Sequence, residues 1–352
     1  RNIKMLRKKI QKFGKSFKDV DKIKSNFFLE NDLLIKQQDK IDQIYRSQPK
    51  RKKCKACNKK LNGGFYQNRK IKYIECKKCT HLNGFYEDTK SFATKIYKDE
   101  KMSYSKSYSE SSIKNFRLRQ KKIYDPKVDF LKNSFKSINK LKVLDVGAGS
   151  GYFISSLIDK KFKKVQGLEV SKNQVKFGKK ILKSINKNSK YLEQASFDKI
   201  IDSVKKTTFN CISLIGVLEH MVDMSEIMNV IKRNKKIKFI YILVPMASFI
   251  CVVENTFPNV FNRHLGGGHT HLFTEKSLKM FMKKYGFIEH SSWWFGTDIH
   301  DFFRSLIIDN EKKNYKPLVK ITNLLKENID NIQFQLDKKK LSSEVHMLLK
   351  RH

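Results

Sequence analysis

From residue 141 onward, short apolar runs alternate with stretches whose apolar positions recur at helical spacing. Runs at 142–146, 164–170, 191–193, 210–215 and 239–244 have the near-continuous hydrophobicity of strands buried on both faces. The helical periods between them predict βαβ units around a parallel sheet. Past the fifth run comes a loop rich in glycine and histidine, 263–273, and then a helix over 274–285 with Gly286 where a left-handed C-terminal cap belongs. Two more strand candidates, 287–295 and 345–350, are separated by helical segments near 300–310 and 317–340. Together these elements predict a doubly wound, mostly parallel seven-stranded α/β domain over 139–352, with a helical insertion at about 297–342.

The first 138 residues have a different texture. Residues 1–50 are lysine-rich with scattered apolar positions (Phe27, Phe28, Leu33, Leu34, Ile41, Ile44), predicting one or two amphipathic helices. Residues 51–90 hold a cysteine cluster, and 91–138 are polar, tyrosine-rich and helical in pattern.

Charge changes this picture less than its size suggests. The chain has 75 Lys+Arg against 34 Asp+Glu, a formal net charge of +41, which raises nucleic acid or an anionic surface as a partner. Lysine far outnumbers arginine and is spread over every segment, whereas bidentate phosphate and guanine recognition favours arginine. The excess therefore reads first as solvated surface of a lysine-biased sequence. Lysines interrupt every early apolar stretch, so no signal peptide is expected. The longest apolar run, 239–253, contains Pro245 and Ser248 and is shorter than the roughly 18 to 20 residues of a membrane span. Cys211 and Cys251 sit inside apolar runs and read as buried thiols of a reducing, cytoplasmic compartment.

The most informative local stretch is Asp145-Val146-Gly147-Ala148-Gly149-Ser150-Gly151, where a buried strand runs into a loop with glycine at every second position and a helix follows. Such a loop lets a ligand approach the main chain, beside the open N–H groups of a helix start. Dinucleotide folds space their third glycine one residue later and seat a diphosphate there. An acid at the strand end, Asp145, would repel a diphosphate and attract an ammonium group. The next strand ends in Glu169-Val170, where a carboxylate meets a ribose diol.

On these residues the chain resembles the class I S-adenosylmethionine-dependent methyltransferases, over roughly 141–350. The resemblance implies S-adenosyl-L-methionine as cofactor, with its methionine part on Asp145, Gly147, Gly149 and Gly151 and its ribose on Glu169. Ala148 and Val170 are the adjoining contacts, and Tyr104 and Tyr108 cover the methionine end. Leu218-Glu219-His220 after the fourth strand resembles the small-molecule members of this family. No Asn-Pro-Pro-Tyr or Pro-Cys signature of nucleic-acid methylation is present. Methyl transfer to a hydroxyl or carbon needs a base near the strand ends; His220 is the leading candidate, with Glu219 orienting it or touching the acceptor. A structural cap on the following helix is the competing reading of that tripeptide. His264, His269, His271, Trp294 and Asp298 are candidate acceptor contacts, with the glycine run between the histidines read as flexible.

Cys54-x2-Cys57 and Cys76-x2-Cys79, 18 residues apart, match the spacing of a zinc ribbon. This predicts a structural Zn2+ on Cys54, Cys57, Cys76 and Cys79. Zinc-ribbon members of the resembled family include proteins of surface-polysaccharide pathways. The resemblance therefore implies methylation of a small polar acceptor, a sugar or nucleotide-sugar, with an RNA methyltransferase using ribbon and basic helices as the alternative. Oligomeric state is not legible.

Overall fold

The computed structural model describes residues 5–16, 30–98, 113–315 and 319–352. The main sheet takes its central strands from the apolar runs: β5 (Lys142–Val146), β6 (Lys164–Glu169), β7 (Leu192–Gln194), β8 (Cys211–Ile215), β9 (Phe239–Pro245), β11 (Phe287–Phe295) and β12 (Glu344–Arg351). Their spatial order is β11-β12-β9-β8-β5-β6-β7. β12 runs antiparallel to both of its neighbours, and the strands from β9 to β7 are parallel. The expected seven-stranded α/β sheet is present, and β1 (Gln11–Phe13) adds an eighth strand, parallel to β11 at the edge.

Strand side chains alternate between two cores, as the two-residue period requires. On one face Val143, Cys211, Phe239, Tyr241 and Leu348 pack against α4 (Asp125–Asn133), α5 (Tyr152–Asp159) and α6 (Lys172–Ser184). On the other, Leu144, Ile212, Ile240, Ile242 and Met347 meet α7 (Phe197–Lys206), α8 (Met224–Arg233) and α10 (Glu275–Lys284). Helix starts are fixed by side chains that accept from exposed N–H groups: Ser171, Ser196, Asp223 and, in a reciprocal box with Ser277, Thr274. Gly286 has φ 81°, as its capping position requires.

Among the described residues of the N-terminal region the structure holds one helix, α1 (Asn31–Arg46), and β1. A three-residue Gln-Lys-Phe edge strand carries no periodicity that a sequence pattern could register. Helices α2 (Lys90–Lys98) and α3 (Ile113–Arg119), a π-turn (Gln120–Tyr124) and α4 fill the segment before β5. Tyr104 and Tyr108 lie outside the described residues. Helices α11 (Asp298–Lys312) and α12 (Val319–Lys338) form the insertion between β11 and β12, and α9 (Phe249–Thr256) packs against α11. Among the described residues no helix is long and apolar enough to cross a membrane.

A second sheet joins the cysteine region to the main body. β2 (Phe65–Asn68), β3 (Ile71–Glu75) and β4 (Leu82–Gly84) form an antiparallel meander, and its fourth strand, β10 (His271–Leu272), comes from the glycine-histidine loop. Cys54, Ala56, Cys76 and Cys79 are buried against the main core.

Candidate functional site

At the end of β5 the chain enters the glycine loop with φ of 76°, 54° and 78° at Gly147, Gly149 and Gly151, all in the left-handed region. A Cβ on Gly147 would stand 2.5 Å from Val217, so both conformation and space require glycine there. The N–H groups of Gly147 and Ala148 donate to Leu168 O at 2.8 and 3.0 Å, fastening the loop to β6. Glu169, buried at the end of β6, accepts from Gly149 N–H at 2.9 Å through one oxygen and from Ser171 N–H at 2.8 Å through the other. Each carboxylate oxygen retains a further lone pair for a hydroxyl. Val170 beside it is 50% exposed. Asp145 is buried and accepts from Ser213 Oγ at 2.6 Å. Burial pushes its carboxyl up to about 7, with Ser213 opposing and the charge of Glu169 adding to the rise.

The α5 start completes this end of the crevice. Tyr152 stacks between Phe116 (4.2 Å between centroids) and Tyr124 (5.1 Å), and the Arg119 guanidinium lies over the Tyr152 ring at 5.6 Å. Lys127, one turn into α4, is buried, and desolvation brings its ammonium down to about 7. The charges of Glu344 and Asp145 oppose that fall.

A cavity of about 120 Å³ opens at the carboxyl ends of β8 and β9 and is lined by Glu219, Arg263, His264, His269, Thr297, Asp301, Ser343 and Glu344, with Leu243, Pro245 and Ile250 as its apolar wall. Glu219 has its Oε2 buried without a hydrogen-bond partner among the described residues. Burial pushes its carboxyl up to about 8. His269 donates from Nδ1 to His264 O at 2.8 Å, which leaves the lone pair of the neutral ring on Nε2. His220 stacks on His269 with centroids 5.4 Å apart. Burial holds His220 down at about 3 and His269 at about 4, so both rings are neutral at physiological pH.

Four of the sequence-predicted residues thus come together: Glu219, His220, His264 and His269. His271, Trp294 and Asp298 do not. His271 lies in β10 against the ribbon, its Nδ1 3.0 Å from His81 Nε2. Trp294 points into the core cluster that contains Phe281 and Tyr285. Asp298 is consumed structurally: it accepts from Ser248 Oγ (2.7 Å), Ile250 N–H (3.1 Å), Ser343 N–H (3.0 Å) and Gln333 Nε2 (3.2 Å).

Arg263 and Asp301, which the sequence reading missed, form a buried pair at 2.6 and 2.8 Å in the cavity wall. Both contacts are charge-assisted and come from Nη1 of Arg263, one to each carboxylate oxygen, but one partner is in a loop and the other in α11, with no sequence spacing between them to read.

The glycine-histidine loop is tied down along its length. Glu254 accepts from the N–H groups of Arg263, His264 and Leu265 at 2.7, 2.8 and 2.7 Å. Helix α1 adds three polar residues from one face: Asn31 accepts from Phe261 N–H, Gln38 donates to Leu265 O, and Asp42 accepts from Gly267 N–H. Tyr73 of the ribbon accepts from Gly266 N–H at 2.7 Å. The expected flexible run is a fixed wall. Glu254→Gln offers one acceptor oxygen to three buried donors and is expected to destabilise the protein by about 1 to 3 kcal/mol, the cost of orphaned buried donors. An unchanged denaturant midpoint would remove Glu254 from this role.

The four cysteine sulfurs converge, with Cys54 Sγ to Cys79 Sγ and Cys57 Sγ to Cys76 Sγ both 3.6 Å and all four within 4.8 Å of one another. A tetrahedral ion about 2.3 Å from each thiolate separates sulfurs by about 3.8 Å, so the cluster fits one metal ion. Both knuckles close alike: Asn58 (φ 58°) and Thr80 (φ 61°) donate N–H to the carbonyls of Cys54 and Cys76. The ribbon reaches the neighbours of His220 and His269 through Lys55, which donates to Met221 O at 2.5 Å and pairs with Asp88, itself an acceptor for Thr270.

Residues 116–290 match the family described as Methyltransferase domain. Solved structures of similar fold include a SAM-dependent methyltransferase from Archaeoglobus fulgidus, 14% identical, covering 70% of this chain and 100% of that one at a TM-score of 0.43. A second is geranyl diphosphate C-methyltransferase from Streptomyces coelicolor A3(2), 11% identical, covering 69% and 85% at 0.40. A third is magnesium protoporphyrin IX methyltransferase from Synechocystis PCC 6803 with bound SAH, 10% identical, covering 73% and 92% at 0.42. Likenesses at this level carry nothing about the acceptor. No curated protein matches the chain in sequence. The chain carries a methyltransferase domain over residues 116–290 and is a methyltransferase.

Proposed function

We propose that this methyltransferase moves the methyl group of S-adenosylmethionine onto a small polyhydroxylated acceptor, a sugar or nucleotide-sugar of glycan synthesis. The observation that carries the reading is the cavity at the carboxyl ends of β8 and β9. It is small, and it offers two carboxylates (Glu219, Glu344), an Arg263–Asp301 pair and two imidazoles, the groups that hydrogen-bond hydroxyls. S-adenosylmethionine supplies an electrophilic methyl on a sulfonium. Asp145 holds the ammonium end, Glu169 the ribose diol, and the Gly147–Gly151 turn admits the ligand to the backbone. Glu219 takes the proton of the acceptor hydroxyl, because its carboxyl titrates close to working pH while His220 and His269 are held well below it. His269 Nε2 accepts from a second hydroxyl, and His220 positions that ring by stacking. The ribbon holds a structural Zn2+ on its four cysteines.

The substrate class is tested by incubating the enzyme with labelled S-adenosylmethionine and separate pools of nucleotide-sugars and RNA. Label in the sugar pool is expected; label confined to RNA would overturn the reading. The cofactor site has its own signature. Because unliganded Asp145 sits at about 7, acidification neutralises it before binding, so affinity for S-adenosylhomocysteine is expected to fall up to about tenfold per pH unit below that point. Titration calorimetry across the range checks this. Constant affinity, or no flattening in Asp145→Asn, would take the ammonium away from Asp145.

A further inference from the structure

A second depression, of about 480 Å³, lies at the outer edge of the same end of the sheet, lined by Lys12, Gly14, Lys15, Ser16, Pro126 and Trp293 among others. Lys12 Nζ sits 3.9 Å from the centre of the Trp293 ring and Lys15 Nζ 5.3 Å from that of Phe295. The Trp293 indole N–H donates to Gly14 O at 2.8 Å, pinning the segment after β1 over the groove. Behind the aromatic floor His346 is fully buried, its ring 5.4 Å from Trp293 and 5.5 Å from Phe295. Neither of its nitrogens has a hydrogen-bond partner among the described residues. Lys12, Lys15 and Lys127 are the charges that act on it. The one carboxylate in the groove wall, Asp330, accepts from Ser16 Oγ at 2.9 Å.

Lys12 and Lys15 stand over the two aromatic rings that pack on His346, two like charges on one groove wall that a bound anion would offset. The groove also adjoins the cavity. Phe295, at the end of β11, pairs with Glu344, the first residue of β12, and Glu344 lines the cavity.

We propose that this groove binds the phosphate or diphosphate part of the acceptor, with Lys12 and Lys15 on its oxygens, while the hydroxylated part lies in the cavity of Glu219 and His269. The groove needs only the anion; its link to methylation rests on the function proposed above.

The probe is inorganic pyrophosphate titrated into the full chain, followed by calorimetry. Lys12→Gln and Lys15→Gln are each expected to weaken it about tenfold, the worth of one charge-assisted contact, and Lys12→Arg is expected to restore it. Lys235→Gln with Lys236→Gln, exposed lysines far along the chain, is expected to leave it unchanged, as is Glu169→Ala. Affinity for S-adenosylhomocysteine, measured on the same groove variants, should stay at the wild-type value and reports that they are folded. Equal weakening by groove and control variants would reduce the site to diffuse charge and overturn the proposal. So would a single-stranded oligonucleotide that binds more tightly than pyrophosphate and is lost with the control lysines. Intact pyrophosphate binding without any S-adenosylhomocysteine binding would sink the proposed function and leave the groove standing.

Discussion

Glu219→Gln is expected to lower turnover by about 10²- to 10⁴-fold, the range of a lost general base, while leaving cofactor affinity near the wild-type value. In the wild type, kcat/KM is expected to climb with pH and level off above about 8, where burial has placed the Glu219 carboxyl. The sign follows from the charge. A carboxyl raised by desolvation is neutral and without basicity below its pKa, and it gains a lone pair for the acceptor proton as pH rises through it. The variant should lose that rising limb. The imidazoles predict another profile, since His220 and His269, at about 3 and 4, are already neutral and would give a curve flat across neutrality. A flat wild-type profile, or a larger loss in His220→Ala than in Glu219→Gln, would return the proton to histidine. The geometry agrees with the carboxylate: Glu219 lines the cavity with a buried, unpartnered oxygen, whereas His220 reaches it through His269.

The glycine-loop end of the candidate site was legible in the sequence because its signal is local. Strand, acid, three glycines and helix follow one another within Asp145–Tyr152, and the buried strands are continuous apolar runs that a parallel sheet demands. The acceptor end was not, because its wall is assembled from distant pieces. Arg263 comes from a loop, Asp301 from α11, and Ser343 and Glu344 from the start of the last strand. Adjacent residues mislead there. Trp293 and Trp294 look like one aromatic patch, yet the two-residue strand period sends Trp293 to the face of Phe130 and Tyr241 and Trp294 to the opposite core. Asn31, Gln38 and Asp42, polar positions of the expected amphipathic segment, satisfy loop backbone. Polar residues at helical spacing carry no mark that distinguishes water from a buried carbonyl as their partner. The hydrophobic pattern of 1–50 likewise gave no hint that three residues of it would extend the main sheet.

Removing the metal from the cysteine cluster is expected to abolish acceptor turnover while cofactor binding survives. Ribbon sites draw folding free energy from the ion, and Cys54 and Cys79 are buried at 2% and 0% exposure, so thiolates left without a cation there would repel one another or protonate. Three links carry the collapse into the acceptor cavity. β10 loses its partner β4, leaving His271–Leu272, directly after the His269 loop, without its ladder. Lys55 lets go of Met221 O, directly after His220. Tyr73 releases Gly266 and His269. None of these touches Asp145, Gly147 or Glu169, which are held by β6, β8 and the start of α6. Chelation, and independently Cys76→Ser, should therefore lower the melting temperature of a first transition and cut turnover by at least about 10²-fold, as expected when a positioned wall is lost. Affinity for S-adenosylhomocysteine should change by only a small factor. Loss of cofactor binding in step with turnover would show one cooperative unit, and would end the claim that the ribbon serves the acceptor side alone.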